Sequence, residues 1–559
     1  MDSLKNIVLN AISEHLEGVA ETMIGEVPPE IGGDFAFPCF AHAKQLRKKP
    51  RELAEELAQK LRGGFIEKAE AKDGFVNIFL SPHRIADALL DEILQLGDAY
   101  GSGGHRGKLI VEHTSANPNA PLHIGHLRNS IIGDSMVRIL RFAGYDVESQ
   151  FFVNDMGGQL AVLASSLDGR NYKRELKESG KKPDIWLGEQ YVEANRKVDP
   201  EVAKALQKNY ERGGRAVKKI FDFIVDTALT GMRQTLDSYD IHIDTFVRES
   251  DFVFGGGVRD IIEQLKKTPY WFERDGASAL DLTKYGIKKE LILLRSDGTT
   301  LYTTRDLTYH LWKLRRGDCI NVIANEQTLQ QKQLRAALEV LGIRDVEKRV
   351  RHLSYELVTV PGMRMSSRTG EFISADELLE EGITRARKEI NSRQLDILTK
   401  DRDHIARSVA VGAIRFNMVK ITPLKPIEFK WHEALSFEGE SAPYLQYSHA
   451  RACRILEKAG DLGRPEPSAV EFTNEEQKLL VLLAQFPDSV KAAVSDLKPN
   501  LIANYLISLA EAFNRFYFKC PVLDSEEPVR SMRLAIVRMF RQVMANGLGL
   551  LGIEALERM

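Results

Sequence analysis

The sequence predicts an α/β protein in which a doubly wound parallel sheet lies between a small N-terminal α/β domain and an all-α C-terminal domain. Short apolar runs alternate with amphipathic helical patterns from residue 108 onward, which is typical of a parallel sheet with helical crossovers. Residues 432–559 show only helical spacing. A chain of 559 residues has room for roughly three or four domains with sizeable cores.

Residues 1–98 are predicted to form the N-terminal domain. Its predicted elements are helices over 4–16 and 51–61 and strands over 65–71 and 75–80. Lys72, Asp73 and Gly74 separate the two strands and are typical of a hairpin turn. The glycine-rich stretch 97–104 is the predicted linker to the next domain.

The central domain is predicted over residues 105–370, followed by connecting helices over 371–431. Its predicted strands cover 108–113, 147–153, 291–294 and 319–324, and its predicted helices cover 124–142, a stretch from Met156 and 307–314. A charged, mostly helical insertion over about 168–288 separates the two halves of the sheet. The all-helical domain then covers 432–559, with helical patterns over 442–456, 475–483, 500–517 and 529–548.

The stretch LHIGHLR at 122–128 lies where the first predicted strand of the sheet gives way to a helix. His123 and His126 therefore stand above the carboxyl end of a strand, where ligands bind in open α/β sheets. A helix start offers unpaired N–H groups and a positive dipole end, both suited to phosphate. Gly125 has no side chain, so a flat base can approach the backbone closely. The setting indicates an ATP site, although an ordinary helix start remains the alternative for the motif alone.

A second candidate segment, PGMRMSSRTG at 361–370, is a glycine-bounded loop with two arginines and two serines. Guanidinium groups and hydroxyls can grip a polyphosphate and neutralise charge as it develops. The glycines would let such a loop open and close during turnover. A solvated basic loop is the more common meaning of an arginine pair and stays open at this point.

Together the two segments resemble the paired signatures of class I aminoacyl-tRNA synthetases. The first signature agrees in every letter, and the second, usually Lys-Met-Ser-Lys-Ser, agrees at Met365 and Ser366. Arg364 stands in place of the first lysine, and Ser367 and Arg368 replace the final Lys-Ser. The second lysine of that loop normally stabilises the transition state. We therefore expect Arg368 or Arg364 to supply the missing positive charge.

Further segments resemble arginyl-tRNA synthetases, and the resemblance extends from about residue 33 to residue 559. The segments are EHTSANPN at 112–119, FVNDMGGQ at 152–159, LYTTRD at 301–306, YLQYSHAR at 444–451 and LGLLGIE at 548–554. The resemblance implies a Rossmann-like catalytic domain that uses ATP with Mg²⁺, L-arginine and tRNA(Arg). It also implies that arginine activation waits for bound tRNA. The insertion is too short for an editing domain, so we expect no editing. The chemistry agrees, because few metabolites imitate the charged planar fork of arginine and hydrogen-bonded discrimination can suffice.

The resemblance also implies roles for individual residues. The catalytic residues would be His123, His126, Arg364, Ser366 and Arg368, with Gly125, Met365 and Ser367 also contacting ATP. Arginine would lie among Ser115, Asn117, Glu249, Tyr302, Asp306 and Gln327. Two carboxylates suit a guanidinium, and Tyr302 and Asp306, four residues apart, would share one helix face. Taken one by one, such residues more often lie at the surface or cap a helix.

By the same resemblance, both flanking domains would contact tRNA. The N-terminal domain would meet the outer corner of the tRNA with a basic cluster, Lys44, Arg47, Lys48, Lys49 and Arg51, which would otherwise be a solvated helix end. The C-terminal domain would hold the anticodon arm. Its candidate rings and cations, many of which would equally suit core packing, are Tyr444, Tyr447, His449, Arg451, Arg454, Phe513, Arg515 and Tyr517.

Composition limits the remaining classes of function. The net charge is −2, so RNA contacts must come from local basic patches. Cys39, Cys319, Cys453 and Cys520 lack zinc or redox spacing, so we expect no zinc, no protein metal site and reduced thiols. There is no signal peptide and no apolar run long enough to span a bilayer. These features predict a cytoplasmic protein without a membrane partner, and we expect a monomer.

Three other functions stay open on the sequence alone. A class I synthetase for lysine would share an acidic pocket, but the tyrosine–aspartate segment and the helical C-terminal domain favour arginine. A non-catalytic tRNA-binding relative is favoured only by the irregular second signature and is opposed by the intact histidines. A small-molecule nucleotidyltransferase would share the first signature but would have no use for two RNA-binding domains.

Overall fold

The N-terminal domain forms around an antiparallel four-stranded sheet, in the order β1-β2-β4-β3. The computed structural model describes residues 3–27, 32–361, 372–392, 399–460 and 465–559. The elements of this domain are α1 (Leu4–Ser13), β1 (Gly25–Glu26), β2 (Phe35–Pro38), α2 (Phe40–Gln45), α3 (Pro50–Lys60), β3 (Ile66–Lys72), β4 (Phe75–Leu80) and α4 (Pro82–Leu96). Asp73 and Gly74 have φ values of 50° and 82°, as a tight hairpin turn requires, so the predicted hairpin is confirmed.

The glycine-rich stretch predicted as a linker is packed against the C-terminal helices. Tyr100 is 1% exposed, and its hydroxyl donates to the Leu483 carbonyl at 3.0 Å. The Asn546 amide donates to the carbonyls of Gly97 and Tyr100. The N-terminal domain is therefore tied to the helical domain at the far end of the chain.

The central sheet is parallel, and in the described part of the chain it has five strands in the order β12-β11-β5-β6-β7. These strands are β5 (Lys108–Glu112), β6 (Asp146–Val153), β7 (Thr245–Arg248), β11 (Asp318–Ala324) and β12 (Val350–Tyr355). The first strand in sequence, β5, lies in the middle, and the chain builds outward from it in both directions. This order confirms the doubly wound prediction and places the topological switch point between β5 and β11.

The helices of the central domain cover the sheet and extend from it. They are α5 (Ile124–Phe142), α6 (Gly158–Leu167), α7 (Tyr172–Ser179), α8 (Pro183–Lys197), α9 (Pro200–Glu211), α10 (Arg215–Ser238), α11 (Glu249–Phe254), α12 (Gly257–Leu265), α13 (Tyr302–Leu314), α14 (Thr328–Val340) and α15 (Val346–Arg349). The range 168–288 is mostly helical as predicted, but it also contains β7, the edge strand of the parallel sheet. A four-residue strand among long helices gives too short a pattern to stand out.

The prediction that residues 291–294 belong to the parallel sheet was wrong. They form β10 (Leu291–Leu294), which pairs antiparallel with β9 (Ala277–Leu280), and β9 pairs with β8 (Trp271–Arg274). Asp275 and Gly276 have φ values of 51° and 77° and make a tight turn between β8 and β9, which closes this separate hairpin. Residues of β10 are alternately buried and more exposed, as in a sheet with one wet face, whereas a doubly covered strand is buried on both sides.

The remaining elements follow the sheet in sequence. They are β13 (Val358–Thr359), α16 (Ala375–Ser392), α17 (Arg402–Val419), β14 (Ile427–Glu428), α18 (Trp431–Ala434), α19 (Ala442–Ala459), α20 (Asn474–Ala484), α21 (Phe486–Asp496), α22 (Asn500–Lys519) and α23 (Val529–Leu550). The all-helical C-terminal prediction is confirmed, with α21 as an added helix. No helix among the described residues is long and apolar enough to cross a membrane.

Two buried arginines fix helix α5, which carries the first signature. Arg128, on the helix itself, donates to the carbonyls of Leu357 and Lys425, each at 2.8 Å. Arg415, on α17, pairs with Asp134 of α5 and donates to the Leu551 carbonyl at 2.8 Å. Both guanidinium groups are 0% exposed, so each ties α5 to distant parts of the chain inside the core.

Candidate active site

The turn after β5 carries Ser115 and Asn117, and it is held by a strained residue. Thr114 has a φ of 64°, which is unusual for a β-branched residue. Its amide donates to Asn129 Oδ1 at 2.6 Å, and its hydroxyl donates to Ser130 Oγ at 2.9 Å. Both partners lie on α5, so this helix fixes the direction in which the turn leaves the strand.

His123 and His126 form a stacked pair at the start of α5. Their ring centroids are 3.6 Å apart, with planes inclined by 15°. His123 caps the helix, because its Nδ1 accepts from the amides of Gly125 and His126 at 3.1 and 3.2 Å. A Cβ on Gly125 would lie 3.0 Å from Cε1 of His123, so the glycine leaves space for the capping ring.

The caps also fix which ring nitrogen of each histidine carries the proton. Backbone N–H groups only donate, so Nδ1 of His123 is an acceptor and its proton lies on Nε2. His126 Nδ1 likewise faces the amide of His123 at 3.5 Å. Burial lowers the pKa of His123 to about 4 and the pKa of His126 well below its ordinary value. Both rings are therefore neutral near neutral pH and offer an Nε2–H donor.

The second-signature residues Arg364, Met365, Ser366, Ser367 and Arg368 lie outside the described residues. The chain directly after them is held against the first signature. Ile124 donates to the Ile373 carbonyl at 3.2 Å, and Ala375 donates to the Leu122 carbonyl at 2.7 Å. The Phe372 ring centroid lies 5.9 Å from that of His123.

Four of the predicted arginine-site residues follow the carboxyl ends of strands of the parallel sheet. Ser115 and Asn117 follow β5, Gln327 follows β11, and Glu249 follows β7. Ser115, Asn117 and Gln327 are exposed, whereas Glu249 is 1% exposed. All four residues therefore lie at the carboxyl edge of the sheet, with Ser115, Asn117 and Gln327 at the switch point between β5 and β11 and Glu249 at the outer strand β7.

Two further polar residues at this edge were not predicted from the sequence. Asn117 Nδ2 donates to Gln159 Oε1 at 2.9 Å, and Asn154 Nδ2 lies 3.4 Å from Asn117 Oδ1. Asn154 directly follows β6, and Gln159 begins the next helix. Their position just after strand β6 is the one sequence feature that could have placed them at this edge. Their hydrogen bonds to Asn117 are visible only in the tertiary structure.

Tyr302 and Asp306 lie one turn apart on α13, as their spacing predicted. Asp306 Oδ1 lies 3.0 Å from Nδ1 of the buried His310. Burial by itself raises the pKa of Asp306, but His310 and the nearby Lys313 ammonium outweigh burial and hold that pKa below its ordinary value. Asp306 is thus a persistent negative charge beside the half-exposed Tyr302 ring.

Glu249 is the second carboxylate of the site, and its environment is different. Burial, together with Asp155 and Asp306, raises the pKa of Glu249 to about 7, although Arg305 acts in the opposite direction. Arg305 Nη1 lies 3.4 Å from Glu249 Oε2, longer than a good charge-assisted hydrogen bond. No described group donates a hydrogen bond to Oε2, so this buried oxygen has unused capacity to accept one.

Comparison with known proteins shows the family to which the chain belongs. Three family models match: an arginyl tRNA synthetase N-terminal domain at residues 2–80, the catalytic domain of class I (R) tRNA synthetases at 89–431, and a DALR anticodon binding domain at 445–559. The arginine–tRNA ligase of Methanocaldococcus jannaschii is 39% identical over 100% of both chains. That of Archaeoglobus fulgidus is 43% identical over 93% of this chain and 94% of its own. The chain belongs to the class I arginyl-tRNA synthetase family.

Solved structures of arginyl-tRNA synthetases share the fold over the full length. The Thermus thermophilus enzyme has a TM-score of 0.82 at 32% identity, covering 100% of both chains. The Plasmodium falciparum enzyme has a TM-score of 0.83 at 18% identity, covering 100% of this chain and 98% of its own, and supports the fold alone. Membership in this family disfavours both the lysine synthetase and the small-molecule nucleotidyltransferase.

The C-terminal candidates for RNA contact divide into core and surface residues. Phe513 and His449 are buried, since Phe513 stacks on Phe540 at 3.7 Å and His449 Nδ1 lies 2.8 Å from the Leu556 carbonyl. Core packing, the alternative that the sequence left open, therefore applies to both rings, and neither is exposed for stacking with RNA. Arg451 is instead partly exposed, and its guanidinium carbon lies 4.9 Å from the ring centroid of the exposed Tyr517.

The surface near Arg451 also contains a ring that the sequence analysis did not single out. Phe518 is 89% exposed and lines a cavity of about 500 Å³ with Arg451, Arg454 and Tyr517. Phe518 also lines a second cavity, together with Tyr444 and Arg515. In proteins that bind single-stranded nucleic acid, an exposed ring beside cations is a common stacking platform for an unpaired base.

The N-terminal basic cluster is largely compensated by neighbouring acids. Lys48 pairs with Glu56 at 2.5 Å, and Arg51 pairs with Glu55 at 3.1 Å. Lys49 lies 3.4 Å from Glu52. RNA phosphates at this cluster would compete with these glutamates, which reduces the local positive field.

Proposed function

We propose that the chain catalyses both steps of arginyl-tRNA formation at the carboxyl edge of the parallel sheet. As a member of its family it is an arginine–tRNA ligase. The observation that carries the site assignment is the pair of neutral histidine donors at the start of α5, together with two carboxylates, Asp306 and Glu249, that are close enough for Asp306 to raise the pKa of Glu249. The first group suits phosphates, and the second suits a guanidinium.

The ATP half of the proposed site is the start of α5. The Nε2–H groups of His123 and His126 would donate to the triphosphate, and Gly125 would contact adenine. Neutral donors suit this role because they bind phosphate without holding the leaving pyrophosphate by full charge. Arg364, Ser366 and Arg368 would stabilise that pyrophosphate, with Met365 and Ser367 also near ATP, an assignment that rests on the sequence.

Magnesium enters this proposal with ATP, as part of the substrate. Among the described residues, no group of three His, Cys, Asp or Glu side chains could hold a metal ion. Mg²⁺ commonly keeps several waters and binds mainly through substrate phosphates, so the donor set at α5 is compatible with a metal delivered by ATP.

The arginine half is proposed to hold the guanidinium between Asp306 and Glu249, with Tyr302 alongside. Ser115, Asn117 and Gln327 would bind the α-amino and carboxylate end. A guanidinium donates in a fixed planar fork to two carboxylates, whereas the ammonium of lysine is a compact point charge without that fork. Hydrogen-bonded discrimination of this kind supports a synthetase without an editing step.

In the first proposed step, the arginine carboxylate attacks the α-phosphorus of ATP and pyrophosphate leaves. In the second, a terminal ribose hydroxyl of tRNA(Arg) attacks the arginyl carbonyl and AMP leaves. The protein mainly positions these groups and stabilises the developing charge. We also propose that arginine activation waits for bound tRNA. The protein is further proposed to be a monomer in the cytoplasm, a compartment that is compatible with its four free cysteines.

Pyrophosphate exchange into ATP tests the proposed function. Exchange with arginine but not with lysine, and only when tRNA is present, is the expected result. Exchange without tRNA would refute tRNA-dependent activation but not the ligase activity. Absence of both exchange and charging, with tight tRNA binding retained, would favour the non-catalytic tRNA-binding alternative.

Arg368→Ala tests the charge assigned to the second signature. It should slow adenylate formation much more than it weakens arginine binding, since pyrophosphate develops charge only as the reaction proceeds. Arg364→Ala is the matched variant in the same loop. An unchanged rate of adenylate formation in both variants would exclude both arginines as the missing cation.

A further inference from the structure

A buried row of polar side chains leads from Asp306 to the centre of the parallel sheet. His310 Nε2 lies 2.8 Å from Asn321 Nδ2, and Lys313 donates to Asn321 Oδ1 at 2.9 Å. Lys313 also donates to Glu112 Oε2 at 2.6 Å. His310, Lys313 and Asn321 are 0% exposed, and Glu112 is 5% exposed. A buried network of this size is costly unless every member is satisfied.

Donor and acceptor roles along this row are fixed from one end to the other. The Lys313 ammonium only donates, so the atom of Asn321 that faces it must be the carbonyl oxygen. The amide nitrogen of Asn321 then faces His310 and also donates to Gln331 Oε1 at 2.9 Å. His310 Nε2 must accept, and its proton therefore lies on Nδ1.

The opposite end of the row requires the same arrangement. His310 Nδ1 faces two oxygens of Asp306, the carboxylate Oδ1 at 3.0 Å and the backbone carbonyl at 2.9 Å. An ionised carboxylate and a carbonyl only accept, so Nδ1 must donate. A neutral imidazole satisfies both ends without an added charge.

We propose that Lys313, Asn321 and His310 are positioning residues that hold Asp306 ionised and aimed at the guanidinium of the substrate. The proposal deepens the proposed function and rests on it, since Asp306 is a guanidinium ligand only in that assignment. His310 holds the carboxylate with a neutral donor, so Asp306 keeps its full negative charge for the substrate. An imidazolium in the same place would cancel that charge.

Asn321→Asp reverses the polarity of the row with almost no change in shape. The new carboxylate still accepts from Lys313, but it presents an acceptor to His310 Nε2. His310 must then become an imidazolium, which neutralises Asp306, or move its proton to Nε2, which turns a lone pair toward Asp306. Either state weakens the carboxylate as a guanidinium ligand. We expect the dissociation constant for L-arginine to rise about tenfold or more.

Calorimetric titration of the full chain with L-arginine measures this effect, with aminoacylation kinetics alongside. The KM for arginine should rise more than kcat falls, because the row acts on substrate binding. Gln331→Met is the matched control, since it removes only the side branch from Asn321 that does not lead to Asp306. Its arginine affinity should stay within about twofold of the parent protein.

Asp306→Asn distinguishes a failure of the arginine pocket assignment from a failure of the positioning residues. If Asp306→Asn leaves arginine affinity unchanged, the pocket assignment itself fails. If Asp306→Asn weakens binding but Asn321→Asp does not, the positioning row is refuted while the pocket stands.

Nitrogen-15 spectra of the histidine rings give a readout that does not depend on activity or on the stability of the variant. The His310 signal, assigned by its loss in His310→Gln, should show a protonated Nδ1 and an unprotonated Nε2, as the hydrogen bonds at its two ends require. A protonated Nε2 in the unchanged protein would overturn the proposal.

Discussion

Lowering the pH should weaken arginine binding through Glu249. The pKa of this carboxyl is raised to about 7 by burial and by the neighbouring Asp155 and Asp306. A guanidinium in contact with Glu249 favours the ionised form, so arginine must expel the proton in order to bind. Affinity should therefore rise as the pH increases through 7 and level off above it.

The size of the effect follows from the fraction of Glu249 that is ionised in the empty site. If only that fraction binds arginine, the apparent dissociation constant is multiplied by one plus ten to the power of pKa minus pH. With a pKa of about 7, the factor is about 11 at pH 6, about 2 at pH 7 and about 1.1 at pH 8. The expected loss of affinity between pH 8 and pH 6 is thus about tenfold, or about 1.4 kcal/mol.

Other titratable groups of the site have pKa values that are shifted in other ways. The pKa of Asp306 is held below its ordinary value, and the pKa of His123 is lowered to about 4. The pKa of His126 is lowered well below its ordinary value. These three groups therefore keep one protonation state between pH 6 and 8, and the Glu249→Gln variant tests whether a pH dependence in that range comes from Glu249.

Isothermal titration with arginine at pH 6, 7 and 8 measures the effect, in two buffers with different ionisation enthalpies. At pH 6 about one proton should be released for each arginine bound, and at pH 8 almost none. Glu249→Gln is the control: it should bind arginine more weakly and without this pH dependence. Constant affinity over the whole range, with no proton release, would refute the reasoning.

Three further predictions concern stability and RNA binding. Arg415→Ala removes the fully buried one of the two arginines that pair with Asp134, leaves Arg138 in place, and should cost about 2–4 kcal/mol, seen as a lower melting temperature; an unchanged melting curve would contradict the role of the buried pair. Gly133→Ala places a Cβ 2.4 Å from the His113 side chain, and the overpacking should destabilise the chain by about 1–3 kcal/mol in the same measurement. Phe518→Ala should leave melting unchanged but raise the KM for tRNA by about five- to a hundredfold, and an unchanged KM would exclude a stacked base.

Much of the fold could be predicted because periodicity reports burial directly. Strands covered on both faces are continuous apolar runs, as at β5 and β11, and helices show a 3.6-residue pattern, as at α5. Periodicity does not say which sheet a short strand joins. Pairing partners decide that, and they were decisive for β10, whose partner β9 is part of a hairpin closed by a two-residue turn.

The site was predictable to the extent that motifs sit at strand ends. Ser115, Asn117, Gln327 and Glu249 all follow strands of one parallel sheet, so the strand order alone brings them to one edge. Contacts between side chains from distant elements were not predictable. The pairing of His310 with Asn321, for example, depends on how α13 packs on β11, which no local pattern encodes.

The pocket proposed for the guanidinium of the substrate already has a guanidinium beside it, that of Arg305. Thr300 holds this side chain: its hydroxyl accepts from Nε at 3.1 Å, and its carbonyl accepts from Nη2 at 2.9 Å, so Nη1 alone faces Glu249. Simple charge repulsion suggests that removing Arg305 would improve arginine binding.

The pKa of Glu249 argues for the opposite result. Arg305 is the main group that lowers this pKa, against burial and two nearby carboxylates that raise it. In Arg305→Met the pKa of Glu249 should rise further, and the carboxyl would be protonated at neutral pH. Arginine affinity at pH 7 should therefore fall, and it should recover as the pH is raised toward 9, with lysine titrated in parallel as the control cation. Tighter arginine binding at pH 7 in Arg305→Met would show that Arg305 acts as a competitor for the pocket and not as the group that keeps Glu249 ionised.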